Sequence, residues 1–136
     1  MITFLPFEDY KLCAKALDRQ RLCKQRVEVK QIYNAIINGG AWSHHPAVRM
    51  WRGYEYDLIL YGIAVCNEWI SRGYNDSLRL QFLAIFKTLI ESDQPSWIGD
   101  NRVHSSHRSN LIRKLPSHYR DYLGWIEDDS TPYFWP

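Results

Sequence analysis

The longest regular pattern in this chain runs from about Asp18 to Asn38, DRQRLCKQRVEVKQIYNAIIN, where apolar positions recur at helical spacing. At 3.6 residues per turn, Leu22, Val29, Ile32, Tyr33 and Ile36 fall on one stripe. Asp18 stands where a cap belongs, and Asn38-Gly39-Gly40 ends the helix with residues that tolerate the left-handed conformation. Pro6 followed by Phe7, Glu8 and Asp9 reads as the start of an earlier helix reaching about Leu17. A loop, AWSHH, leads to Pro46 at the first turn of a short helix containing Val48, Met50 and Trp51. A long helix follows from Tyr54 to Arg72, closed by Gly73. Asn75-Asp76-Ser77 then caps a helix from Leu78 to about Glu91, apolar around most of its circumference and therefore expected at the centre of the core. A loop from Asp93 to Asp100 precedes a helix from about His104 to Leu115, stopped by Pro116. Ser117 to Leu123 adds a short turn, and the tail STPYFWP reads as an aromatic strap on the outside.

No segment reads as a strand, and no repeat or low-complexity linker divides the chain. The expectation is an all-α fold: one domain, 1–136, of five to six helices with a loop-rich C-terminal tail. The apolar share of 46% excludes a disordered chain. A net charge of +2 understates the local field, because Glu127, Asp128 and Asp129 gather acid near the C-terminus while cations gather elsewhere. Cys13, Cys23 and Cys66 show no paired spacing and fit reduced thiols in a cytoplasmic protein. The N-terminal MITFLPFEDYK lacks the pattern of a signal peptide, and Leu58 to Ile70 is too short to span a bilayer, so no membrane partner is expected.

Charge changes the picture most on the Asp18–Asn38 helix. It holds a single glutamate, Glu28, among Arg19, Arg21, Lys24, Arg26 and Lys30, with Lys15 just before. A carboxylate at the edge of a buried stripe, ringed by cations, suits a site that handles a polyanion and needs an acid or base; an ordinary Glu28–Lys24 pair is the plain alternative. A second cluster gathers Arg102, His104, His107, Arg108, Arg113 and Lys114 among Ser105, Ser106, Ser109 and Asn110, the residue types that contact phosphates. Arg49 and Arg52 flank Trp51. Two basic clusters in a small domain point to a nucleic-acid surface. His104 and His107, one turn apart, raise a metal site or a metal-dependent nuclease, but no zinc spacing accompanies them and no metal is expected. Glycine-rich phosphate loops and the GxSxG elbow are missing. Cys23 lies among cations that favour a thiolate, with a buried inert thiol as the alternative.

Three stretches, LDRQRLCKQRVE, HPAVRMWRGYE and SHRSNLIRKLPSHYR followed by PYFWP, resemble the pyrimidine-dimer DNA glycosylase family, T-even phage endonuclease V-like, in its bacterial and phage branch. The bacterial-type likeness covers nearly the whole chain. The likeness to the phage enzyme rests on the helix with Leu22 and Glu28, on RGYN at Arg72 to Asn75, and on the C-terminal helix. The resemblance implies a compact helical monomer that needs no metal or other cofactor. It acts on double-stranded DNA, in the cytoplasm and at the nucleoid, or in the host if phage-encoded. It further implies an α-amino group that attacks C1′ of a damaged nucleotide, an imine intermediate, β-elimination, and a glutamate matching Glu28. The phosphate-contact set expected here is Arg19, Arg21, Lys24, Arg26, His45, Arg49, Arg52, His104, His107, Arg108, Asn110, Arg113 and Lys114.

Two positions depart from the phage pattern. Ile2 is too bulky for the usual removal of an initiator methionine, so the amine belongs to Met1, one residue displaced; Val27 stands where the phage enzyme has arginine. Four readings follow. Met1 is the nucleophile, with an α-amine of ordinary pKa about 8; or a lysine such as Lys24 is; or Glu28 activates water in a glycosylase without AP-lyase activity; or the chain is a non-catalytic module that binds distorted or modified duplex.

Overall fold

The computed structural model describes residues 1–136 and contains helices but no strands. In order these are α1 (Tyr10–Ala16), α2 (Arg19–Asn38), α3 (Pro46–Arg49), α4 (Glu55–Ser71), α5 (Arg79–Phe86) and α6 (Asn101–Lys114), then a π-helical turn, Ser117–Tyr122. No helix is long and apolar enough to cross a membrane.

The centre of the core is α4, not the helix expected there. It packs against α1, α2 and α5, and it buries Leu58, Ile59, Tyr61, Val65, Cys66 and Trp69. The α5 helix stops at Phe86, five residues short of the expected end, and only its Phe82 is fully buried. Leu80 and Ile90 remain 74% and 89% exposed. An all-round apolar pattern cannot say which side finds a neighbour, and here only the α4 side does. Beyond Phe86 the Thr88 N–H and hydroxyl both return to the Ile85 carbonyl, at 2.9 and 2.7 Å.

Two other boundaries moved for local reasons. The first helix begins at Tyr10 rather than near Pro6, capped by Asp9, which accepts from the Leu12 N–H at 2.9 Å. Upstream, the Phe7 N–H donates to Cys13 Sγ and the Pro6 carbonyl accepts from Arg108, which holds that stretch out of the helix. The α6 helix starts at Asn101 because Asp100 caps it, accepting from the Arg102 N–H at 3.0 Å. Asp18 precedes α2 as expected, but its carboxylate holds Arg21 and the Tyr119 hydroxyl instead of the helix backbone. The aromatic tail packs against the core through Tyr133, Phe134 and Trp135.

What positions everything else is the irregular N-terminal segment. Phe4 and Leu5 are buried, so their backbone groups need partners that no helix or sheet provides. Side chains supply them. Gln25 of α2 accepts from the Phe4 N–H at 2.6 Å and donates to the Ile2 carbonyl at 2.8 Å. The Tyr61 hydroxyl donates to the Phe4 carbonyl at 2.6 Å and lies 2.9 Å from Gln25 Oε1. On the α6 side, His107 Nδ1 accepts from the Leu5 N–H at 2.9 Å, and His104 Nδ1 donates to the Leu5 carbonyl at 2.8 Å. The Trp51 indole N–H donates to Thr3 Oγ1 at 2.9 Å.

Two stability predictions follow from this packing. A Cβ on Gly62 would lie 2.9 Å from Val29 Cγ1 and 3.0 Å from the Phe82 ring, at the crossing of α4 with α2 and α5. Alanine is favoured over glycine in a free helix by up to ~1 kcal/mol, but overpacking costs roughly 1–3 kcal/mol. Gly62→Ala is therefore expected to be destabilising in urea titration, by about 1 kcal/mol or more; a stabilised variant would show that the crossing opens freely. The second concerns His107, whose burial, and then the neighbouring His104, push its imidazole down to about 3 from an ordinary 6.5. The unfolded chain thus binds this proton at a pH where the folded one does not, so the stabilisation is complete above pH 6.5 and is lost as pH falls toward 3. Between those limits stability should fall by on the order of 1 kcal/mol per pH unit from this group. His107→Gln should flatten that slope in urea titrations run across the window; an unchanged slope would assign the acid sensitivity elsewhere.

Candidate active site

The segment that Gln25 and Tyr61 hold in place delivers the start of the chain to the edge of α2. The Ile2 N–H donates to Glu28 Oε2 at 2.7 Å, and the Met1 α-amino nitrogen lies 3.9 Å from the same oxygen. Both groups are sheltered, with side-chain exposures of 9% for Met1 and 14% for Glu28. Glu28 therefore does not pair with Lys24; its carboxylate turns to the N-terminus. A cavity of about 250 Å³ opens at this point, lined by Met1, Ile2, Phe4, Gln20, Arg21, Lys24, Glu28 and Lys114. Residues from both basic clusters thus meet at one acid.

The cations of this cavity differ in how they are held. Arg21 is tethered to Asp18 at 3.3 Å. Lys24 and Lys114 are exposed and make no ion pair or side-chain hydrogen bond, so both are free to meet an incoming anion. His45 caps α3, its Nδ1 accepting from the Ala47 N–H at 3.0 Å. Burial, and then the positive Met1 amine, hold its imidazole below the ordinary histidine range, which sets His45 among the groups that feel the terminus. Tyr133, from the tail, is pushed up to about 12 chiefly by burial, with Arg113 opposing that rise and the Glu28 charge adding to it.

The other expected phosphate contacts are dispersed or already engaged. Arg19 and Arg49 are exposed, and Arg52, also exposed, donates to the Ser43 carbonyl at 2.6 Å. Arg26 pairs with Asp76 and lies over the Trp69 ring at 4.8 Å. Arg108 donates to Glu127 at 2.9 Å and to the Pro6 carbonyl at 2.6 Å. Arg113 holds the Asp129 carbonyl at 2.7 Å and the Asn110 side chain. His104, His107 and Asn110 are buried: the histidines bind Leu5, and Asn110 donates to the Ser106 and Thr131 carbonyls. These three serve the fold where a DNA contact was expected. The phosphate-binding residue types are also those that satisfy backbone groups, and α6 uses them for the latter. No group of three or more His, Cys, Asp or Glu side chains converges anywhere in the chain. All three cysteines are free, and burial pushes Cys13 and Cys66 up to about 12.

Gln25 and Gln20 escaped the sequence reading as functional positions. Gln25 carried a signal, since a polar residue three after Leu22 and four before Val29 falls on the buried stripe and must find partners there. Gln20 carried none.

The family model described as pyrimidine dimer DNA glycosylase matches residues 1–82, a span that contains Met1, Arg21, Lys24, Gln25 and Glu28 and ends before Lys114. No curated protein and no solved structure matches the chain. With more than half its length matched, and with Met1 and Glu28 inside the matched span, the chain belongs to the pyrimidine dimer DNA glycosylase family.

Proposed function

We propose that this protein is a DNA glycosylase with AP-lyase activity that removes damaged or modified pyrimidines from duplex DNA, with the Met1 amine as nucleophile and Glu28 as its acid–base partner. The observation that carries this reading is the 3.9 Å approach of the Met1 nitrogen to Glu28 Oε2 in a cation-lined cavity. In the reaction the neutral amine attacks C1′ while the C1′–N bond breaks, and the base leaves with the bonding pair and takes up a proton. The new C1′–N adduct passes one proton to Glu28, then expels O4′, which is protonated, leaving a protonated imine. Loss of a C2′ proton next breaks the C3′–O bond, and the phosphate departs with that electron pair. Water finally hydrolyses the imine and frees the amine. The Glu28 carboxylate also stabilises positive charge as it develops at C1′. Its hydrogen bond from the Ile2 N–H fixes its orientation in advance. Lys24 and Lys114, unpaired beside the cavity, suit the flanking phosphates.

Glu28→Gln should abolish glycosidic-bond cleavage in a duplex bearing a pyrimidine dimer, read as strand scission after alkali because the cleaved base stays tied to its dimer partner, while leaving DNA affinity within a few-fold; equal turnover by variant and wild type ends the role. Borohydride should trap a covalent protein–DNA adduct with the wild type, and chemical blocking of the Met1 amine, checked by intact mass, should abolish it. Lys24 lines the same cavity, so an adduct that survives blocking would assign the nucleophile to a lysine. Alkali-labile glycosidic cleavage without any adduct would indicate a water nucleophile, and tight binding without product a non-catalytic module. Lys24→Ala and Lys114→Ala should each weaken binding at low salt and lower the slope of log affinity against log salt by about 1. Unchanged slopes would remove these lysines from the DNA interface.

A further inference from the structure

Trp42 lines a cavity of about 510 Å³ together with Met1, yet its ring stands 59% exposed. The turn that carries it is well tied. Gly39 and Gly40 leave α2 at positive φ, the Ser43 N–H returns to the Gly40 carbonyl at 3.2 Å, and the His45 N–H returns to the Trp42 carbonyl at 3.0 Å. The His45 ring meets Trp42 in a T-shaped contact at 5.9 Å, and Trp135 of the tail backs His45 at 6.2 Å. Arg52 donates to the Ser43 carbonyl at 2.6 Å, which sets a cation beside the same turn. Between Met1 and Trp42 the cavity wall is uncharged and includes Gln31, Asn34 and Asn38 of α2. A flat apolar ring is thus held out into solvent close to the amine, with neutral amides on one side and a cation on the other.

We infer that Trp42 is a specificity-determining wedge: its ring enters the base step that bounds the dimer and stacks on the undamaged flanking pair. The inference takes its substrate, a dimer-bearing duplex, from the function proposed above. Within a cyclobutane dimer the two bases are tied to each other and their rings are no longer planar. Neither can be turned out alone, so room at C1′ comes from opening the duplex around the pair. Opening a step forfeits its stacking, and an inserted apolar side chain restores part of that loss while it kinks the helix. The forfeit is smallest where stacking is already poor, and a buckled dimer makes that the step at its own boundary. A wedge therefore selects the lesion without gripping the dimer itself. Because Met1 and Trp42 share one cavity, the wedge falls within a few base steps of the sugar at the amine. The neutral amides between them suit the base edges uncovered as the step opens, and Arg52 suits the phosphate beside it.

The test reads binding by fluorescence anisotropy in a Glu28→Gln background, which keeps the dimer intact, with a duplex bearing a cyclobutane pyrimidine dimer and the same duplex undamaged. Adding Trp42→Ala should weaken binding to the dimer duplex by about 10- to 100-fold, the range of one base–aromatic stack, and leave the undamaged duplex within about two-fold. Energy transfer between dyes at the two ends of the dimer duplex, at saturating protein, should report a protein-induced kink that Trp42→Ala removes. Trp42→Phe, which keeps a flat ring, should stay within a few-fold of the parent. The unfolding midpoint should not move with either substitution, because Trp42 is largely exposed. An unchanged dimer affinity, an equal loss on both duplexes, or a kink that survives Trp42→Ala would overturn the inference. So would a parent protein that binds both duplexes alike. A preference for the dimer that depends on Trp42, with no alkali-labile strand formed by the wild type, would refute the catalytic reading and leave the wedge standing.

Discussion

Residues 2–6 have no helix or sheet to satisfy their backbone, and the burial of Phe4 and Leu5 forbids water from doing so there. Gln25, Glu28, Tyr61, His104, His107 and Arg108 take that place through side chains on α2, α4 and α6. The segment consequently works as a tie. Among the helical elements α6 packs chiefly on the π-helical turn, so its connection to α2 and α4 runs in large part through Leu5 and Pro6. The His107 imidazole shows how firmly. Its Nδ1 accepts the Leu5 N–H, which puts its own proton on Nε2, where no partner waits. An unpaired buried donor is a real penalty, and it persists because the Leu5 bond, held within a close-packed interior, outweighs it.

The cations fall into two kinds. Arg26, Arg108 and Arg113 have carboxylates or carbonyls within reach and are committed to the fold. Lys24 and Lys114 have none, and they flank the carboxylate that faces the chain terminus. A cation whose only neighbours are solvent and an open cavity gains most when a polyanion arrives, since pairing then releases counterions at no structural expense. Charge count alone would have ranked the arginines of α6 above Lys114. Partnering reverses that order.

Much of this was legible in the sequence because it depends on local patterns. The boundaries of α2 and α4 follow from their apolar stripes and from Gly39 and Gly73, both at positive φ where the chain must turn. Glu28 stood out as the one acid in a basic helix, and that contrast survives folding because the α2 face bearing it is the face the terminus meets. What failed was long-range. Whether α5 lies inside or at the rim depends on how many neighbours reach it, and its own residues do not encode that. Whether His104, His107 and Asn110 face a ligand or the backbone depends on where Leu5, Ser106 and Thr131 come to rest, which only the assembled fold decides.

The spacing of Gln25 and Glu28 explains why one helix can set the frame of the terminus. They are three residues apart, nearly one turn, on adjoining rows of α2. Gln25 fixes the Phe4 N–H and the Ile2 carbonyl, and Glu28 then takes the Ile2 N–H, so the peptide climbs the helix in a defined register and leaves Met1 just beyond the carboxylate. The nitrogens of Ile2 and Met1 stand 2.7 and 3.9 Å from Glu28 Oε2. A single acid thus commands both of the first two nitrogens. In this register both nitrogens face Glu28, and Gln25 is what holds it.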